Sequence, residues 1–291
     1  MSALEFLSRM TPIPKKVAER LVSGIKRFQP VLQSAQTRDV NESDTVIIVT
    51  DMLSEVFGYD KYSEITSESA IRGTFCDLAT KIDGVIQFLI EAKAVGQELR
   101  DSYVKQAVDY AANKGVDWVI LTNGILWRIY KVTFTKPIDQ ELLCEVNFLS
   151  LVTKDPEALE LLYLLTKDAW VKSALGDFYN QKQALSRFCL AAMVLSDPIL
   201  GMLRREIKRV SPDVKIDREQ IRHALEQEVL KRDVVEGEKA DEARKKVARR
   251  SARLRPNKLV EPPSVLSPPP GATLPSVGIP LDPGASNPIC G

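Results

Sequence analysis

A chain of 291 residues with 44% hydrophobic and 27% charged side chains can bury a core of its own, in one large domain or two small ones. No apolar window approaches the roughly 20 residues needed to cross a bilayer, so no membrane partner is expected. Net charge is +1, yet residues 239–258 hold nine basic side chains against Asp241 and Glu242, which leaves the remainder mildly acidic. A basic arm on an acidic body suits a phosphate-bearing partner, and a solvated basic tail is the plainer reading. Cys76, Cys144, Cys189 and Cys290 form no C-x-x-C pair and have one histidine, His223, to help them. That spacing gives neither a structural zinc site nor a disulfide framework. The first ten residues lack a basic start followed by a long apolar stretch, so a soluble, cytoplasmic protein is expected.

In chain order, residues 13–36 read as a helix with Val17, Leu21, Ile25 and Phe28 on one face and Pro14 near its start. A polar break, 37–42, leads to a second helix over 43–57. Val46, Val49, Met52, Leu53, Val56 and Phe57 line its apolar face, and Gly58 stands at its end. Glu42 falls on that same face by extrapolation. Strands are expected at 62–67, 75–82 and 85–93, the last two joined by Asp83-Gly84. A helix over 99–114 follows, then strands at 117–122 and 125–132 around Asn123-Gly124. Beyond 150 the pattern is helical only, over 155–173, 180–209 and 217–250. Residues 256–291 hold ten of the seventeen prolines and almost no charge, a composition expected to remain disordered. The expected division is an N-terminal helix (1–40), an α/β domain (41–150), a helical region with a basic end (151–255) and the tail (256–291).

The chemistry-bearing feature lies at 77–93. An unbroken run, Val85 to Ile90, ends in Glu91-Ala92-Lys93, and Asp77 precedes it across the hairpin. Charges at the end of a buried strand are costly without a partner. A divalent cation held by Asp77 and Glu91, with Lys93 alongside, accounts for them. Strand alternation places Glu91 and Lys93 on one face. Glu-x-Lys by itself is a common surface pair.

Asp77 followed by Glu91-Ala92-Lys93, after a helix and a hairpin, resembles the PD-(D/E)XK nuclease core, and most of all the N-terminal nuclease domain of type I restriction enzyme R subunits. Gln106 and Tyr110 form a Q-x-x-x-Y pair similar to that of the RecB-like branch. Thr122-Asn123-Gly124, with Trp127 and Tyr130, resembles the T-N-G segment of the R-subunit domain. The likeness covers about 40–135, and Cys76 stands where the family name has proline. It implies a restriction-endonuclease-like αβββαβ core and Mg²⁺ or Mn²⁺ on Asp77 and Glu91. Lys93 would act on the attacking water, with Gln106 and Tyr110 near the substrate phosphate. Glu42 is read either as an outer metal ligand or as a helix N-terminal residue, and Tyr110 either as a site residue or as a core aromatic. Trp118, Trp127 and Tyr130 are read as core, and His223 as exposed.

The activity implied is a metal-dependent deoxyribonuclease acting on DNA in restriction, phage defence or repair. No G-x-x-x-x-G-K-[ST] phosphate loop occurs, so an ATP-driven motor or a specificity subunit would be a partner protein. The helices beyond 180 offer a surface for a homodimer. Two other classes stay open: a nuclease-fold DNA-binding or regulatory module that does not cut, and a scaffold whose activity lies in the helical region.

Overall fold

Asp83 and Gly84 both adopt positive φ (51° and 78°), the two-residue turn whose twist suits a hairpin, and this turn sets the register of the central strands. The computed structural model describes residues 12–67, 76–134 and 137–253, with side chains through 249. The chain divides into two units, Met1–Val247 and Ala248–Gly291, and of the second only 248–253 are described, as helix. The proline-rich tail, Cys290, Arg255 and Lys258 lie outside the described residues.

Helices α1 (Lys15–Thr37) and α2 (Glu42–Glu55) precede three strands, β1 (Ile65–Thr66), β2 (Leu78–Ile82) and β3 (Val85–Ala92). Helix α3 (Asp101–Lys114) then crosses to β4 (Trp118–Thr122), which is followed by β5 (Leu126–Thr133) and β6 (Asp139–Asn147). The six strands form one mixed sheet in sequence order, antiparallel except for β3 and β4, which α3 joins in parallel. The protein is therefore mixed α/β.

Strand β6 was not expected. Its register slips against β5 between Ile129 and Tyr130, so Leu143 and Cys144 are buried in succession and the alternation that marks a strand is broken. The first strand is shorter than 62–67, with two residues paired.

Each sheet face carries its own core. Phe88, Ile90, Trp118, Ile120, Trp127 and Ile129 pack with α1 and α2, and Leu89, Val119, Leu121, Tyr130 and Val132 pack with α3. Gly24 lets α1 approach the end of α2, since a Cβ there would meet Val56 at 2.8 Å. The expected faces of both helices are buried or partly buried.

Beyond 150 the three long helices expected are broken into shorter ones. These are α4 (Pro156–Tyr163), α5 (Lys167–Val171), α6 (Ala174–Ala184), α7 (Arg187–Val194), α8 (Asp197–Val210), α9 (Arg218–Ala224), α10 (Arg232–Val235) and α11 (Glu238–Arg253). Side-chain oxygens of Thr166 and Ser186 accept the N–H of Ala169 and Cys189, and Asp217 closes a capping box with Gln220. The Thr166 and Ser186 caps each start a new helix inside what periodicity alone reads as one, whereas Asp217 stands at the expected start of the last. Residues of α1, the sheet and α4–α6 share one apolar cluster, so the divisions expected at 40 and 150 fall inside a common core. No described helix is long and apolar enough to cross a membrane.

Candidate active site

The antiparallel pairing Leu78↔Ile90 carries Asp77 across from Glu91 at the end of the hairpin. Two carboxylates opposed on neighbouring strands repel each other, and the fold answers with a cation and a backbone donor. Lys93 Nζ donates to Glu91 Oε1 at 2.7 Å and to Glu42 Oε2 at 3.3 Å, while Ala92 N–H donates to Asp77 Oδ2 at 2.7 Å. Side chains of Lys93 and Glu91 are 13% and 9% exposed, and that of Glu42 is 47% exposed.

Burial pushes the Glu91 carboxyl up to about 7, opposed by the Lys93 hydrogen bond and reinforced by the charge of Asp77. Burial raises Asp77 as well, against the pull of the Ala92 N–H and the Lys93 charge. For Lys93 the desolvation that would lower its pKa is outweighed by the Glu91 hydrogen bond and three nearby carboxylates, so the ammonium is held. Cys76, bonded through Sγ to the carbonyls of Leu78 and Ile90, is pushed up to about 12 by burial and is an inert core thiol.

The segment after Lys93 is clamped from two sides. Lys93 N–H donates to the Thr122 carbonyl (2.8 Å), and Val95 N–H donates to Thr45 Oγ1 on α2 (3.1 Å). Asn123 Nδ2 donates to the carbonyls of Val95 (3.3 Å) and Gln97 (2.9 Å), while its Oδ1 accepts from Ile125 and Leu126. The Asn123-Gly124 pair, read as a turn, is thus also the staple that fixes the lysine's own strand end. Arg128 Nη1 donates to the Leu99 carbonyl and Tyr130 Oη to Asp101, which seats the start of α3.

Of the residues singled out from the sequence, Asp77, Glu91, Lys93 and Glu42 are brought together. Gln106 is exposed on α3, and Tyr110 is 1% exposed in the core beneath that helix with Lys114 over its ring. Tyr110 is a core aromatic. Sequence reading missed Tyr103 and Gln97: Lys93 Nζ lies 5.9 Å from the Tyr103 ring centroid, and Gln97 Nε2 donates to Tyr103 Oη at 2.9 Å. Neither stands at a motif spacing, so only the chain path reveals them.

Among the described residues no group of three or more His, Cys, Asp or Glu side chains is arranged to hold a metal ion. Glu42, half exposed and reaching Lys93 Nζ at 3.3 Å, is not grouped with Asp77 and Glu91 as a third ligand. Two hard carboxylates still fit Mg²⁺ or Mn²⁺, which is content with one or two protein carboxylates plus water and substrate oxygens. Both are raised by burial, the condition a nearby cation relieves. His223 is exposed, and Trp118, Trp127 and Tyr130 are buried. On α11, Ala240 and Ala243 are buried while Lys239, Lys245 and Lys246 are exposed.

No protein-family model matches the chain, and searches of curated proteins and of solved structures return no match.

Proposed function

We propose that the protein is a metal-dependent phosphodiesterase acting on DNA, with a PD-(D/E)XK-type core like that of type I restriction R-subunit nuclease domains. The observation that carries this reading is the charge imbalance at the end of β3, where, among the described residues, Asp77, Glu91 and Glu42 surround the single ammonium of Lys93. The order α2–β1–β2–β3–α3–β4, with a parallel crossover through α3, agrees with an αβββαβ core.

Asp77 and Glu91 are the residues that would hold Mg²⁺ or Mn²⁺, and the bound ion would supply an acidified water and neutralise charge developing on phosphorus. Lys93, kept protonated by its carboxylates, orients that water and faces the phosphate anion. The 93–97 segment, fixed by Thr45 and Asn123, keeps the ammonium in place before substrate arrives. Basic residues of 239–258 supply the sequence-independent attraction to the DNA backbone.

The test is cleavage of supercoiled plasmid, linear duplex and single-stranded DNA with Mg²⁺ or Mn²⁺ by wild type, Asp77→Ala and Lys93→Ala. Cutting by wild type alone supports the reading. Equal activity in all three proteins assigns it to another site or a contaminant. Binding without cutting in every protein points to the second reading, a non-cleaving module, which the prior engagement of Lys93 with Glu42 favours.

A further inference from the structure

The resemblance assigns a glutamine–tyrosine pair to Gln106 and Tyr110, but the fold puts a different pair beside the lysine. Tyr103 is the third residue of α3, and Gln97 lies in the clamped segment between β3 and α3. Both are partly buried. The Lys93 ammonium lies 5.9 Å from the centre of the Tyr103 ring, which brings the phenol to the same end of the sheet as Glu91.

Hydrogen-bond direction decides what the phenol can do. Gln97 Nε2 donates to Tyr103 Oη, so the amide takes an acceptor lone pair and leaves the phenolic proton to another acceptor. Among the described residues no protein group accepts that proton. The Gln97 backbone is fixed, because its main-chain carbonyl receives Asn123 Nδ2 at 2.9 Å and Asn123 is 5% exposed. A neutral donor held by a neighbour with a fixed backbone, next to a largely buried ammonium, suits an anionic oxygen.

We propose that Tyr103, oriented by Gln97, is a substrate-contacting residue that donates its hydroxyl proton in a hydrogen bond to a non-bridging oxygen of the scissile phosphodiester. The inference rests on the phosphodiesterase reading and names a contact within that site. It also accounts for Gln97, whose amide otherwise serves no core or cap.

The experiment measures single-turnover cleavage by Tyr103→Phe on a duplex carrying, at the position where wild type cuts, oxygen or one of the two phosphorothioate diastereomers. Losing a hydrogen bond to a charged group slows cleavage of the oxygen substrate by about 10- to 100-fold. Duplex affinity measured with Ca²⁺ falls less than the cleavage rate, by under about tenfold, and the thermal midpoint stays at the wild-type value. With one diastereomer, sulfur slows wild type but adds little to the defect of Tyr103→Phe, since both changes remove the same bond. A purely structural role for the ring would leave the sulfur effect as large in the variant as in wild type, and that result overturns the proposal. Gln97→Leu leaves α3 untouched, loosens the hydroxyl, and is expected to slow cleavage by about 3- to 10-fold.

Wild-type rates in both variants overturn this inference alone, as does a phosphorothioate coupling that follows Tyr110→Phe in place of Tyr103→Phe. If wild type cuts no DNA with either metal, the phosphodiesterase reading fails and this contact falls with it.

Discussion

Two polar clusters in this protein hold one cation each, and they balance their charges differently. Arg20 on α1 donates to Asp168 at 2.6 Å and to the carbonyls of Val56 and Phe57, so one guanidinium meets one carboxylate and the open end of α2. Lys93 meets Glu91 and Glu42 with Asp77 close by, three carboxylates against one ammonium. The first cluster is complete as it stands and ties α1, α2 and α5 together. Among the described residues the second is short of positive charge, and burial of Asp77 and Glu91 makes the shortage costly. Among the described residues the Arg20 cluster closes its charge, whereas the Lys93 cluster leaves two half-buried or buried carboxylates, Asp77 and Glu91, beside a single ammonium.

The contrast is open to direct attack. Removing the open cluster's charges should act on chemistry: Asp77→Ala and Lys93→Ala are expected to lower DNA cleavage by about 1000-fold or more, with smaller changes in thermal midpoint. Cleavage surviving either change would break the assignment.

Titration comes next in size. A carboxyl raised from 4.5 to about 7 by folding binds protons more tightly in the folded state than in the unfolded one. Its contribution is therefore fully present below about pH 4.5 and is lost as pH rises through 7. The metal-free protein should lose up to about 3 kcal/mol of stability across that window on account of Glu91. Denaturant melts of wild type and Glu91→Gln, compared over the same pH range, isolate this share, and the difference should flatten with added Mg²⁺. A parallel pH dependence in the two proteins would show that Glu91 is not the group responsible.

The closed cluster should respond in the opposite sense. Arg20→Ala is expected to cost about 2 kcal/mol, discounted for partial exposure of the pair, with cleavage per folded molecule unchanged. Denaturation midpoints and active-site titration separate the two effects. The smallest effect belongs to Glu42→Gln. As a half-exposed partner of Lys93 it should alter cleavage by less than about tenfold, roughly 1.4 kcal/mol. A loss equal to that of Asp77→Ala would restore Glu42 as a metal ligand.

The salt dependence of DNA binding tests the basic arm separately. Residues 1–236 should bind with a shallower slope against salt than the full chain, and an unchanged slope would reduce 239–258 to a solvated helix end.

Much of the α/β part was legible in the residues themselves. The periods of 13–36 and 43–57, the Asp83-Gly84 turn and the apolar run into Glu91 are local signals, and each element formed within a few residues of its expected place. What failed was also physical. Strand β6 escaped because a register slip spoils alternation, and the later helices were merged because Thr166 and Ser186 are caps that look like ordinary polar positions on a continuous helix.

By itself the sequence determined that two carboxylates and a lysine end a buried hairpin, because pleat and turn geometry act over a few residues. Only the tertiary structure decided their company. Glu42 reaches Lys93 from 51 residues away, Asn123 staples the 95–97 carbonyls, and the Tyr103 ring comes to 5.9 Å from Lys93 Nζ. Such contacts depend on how helices seat against the sheet, where the packing of whole faces, rather than any spacing along the chain, selects which side chains meet.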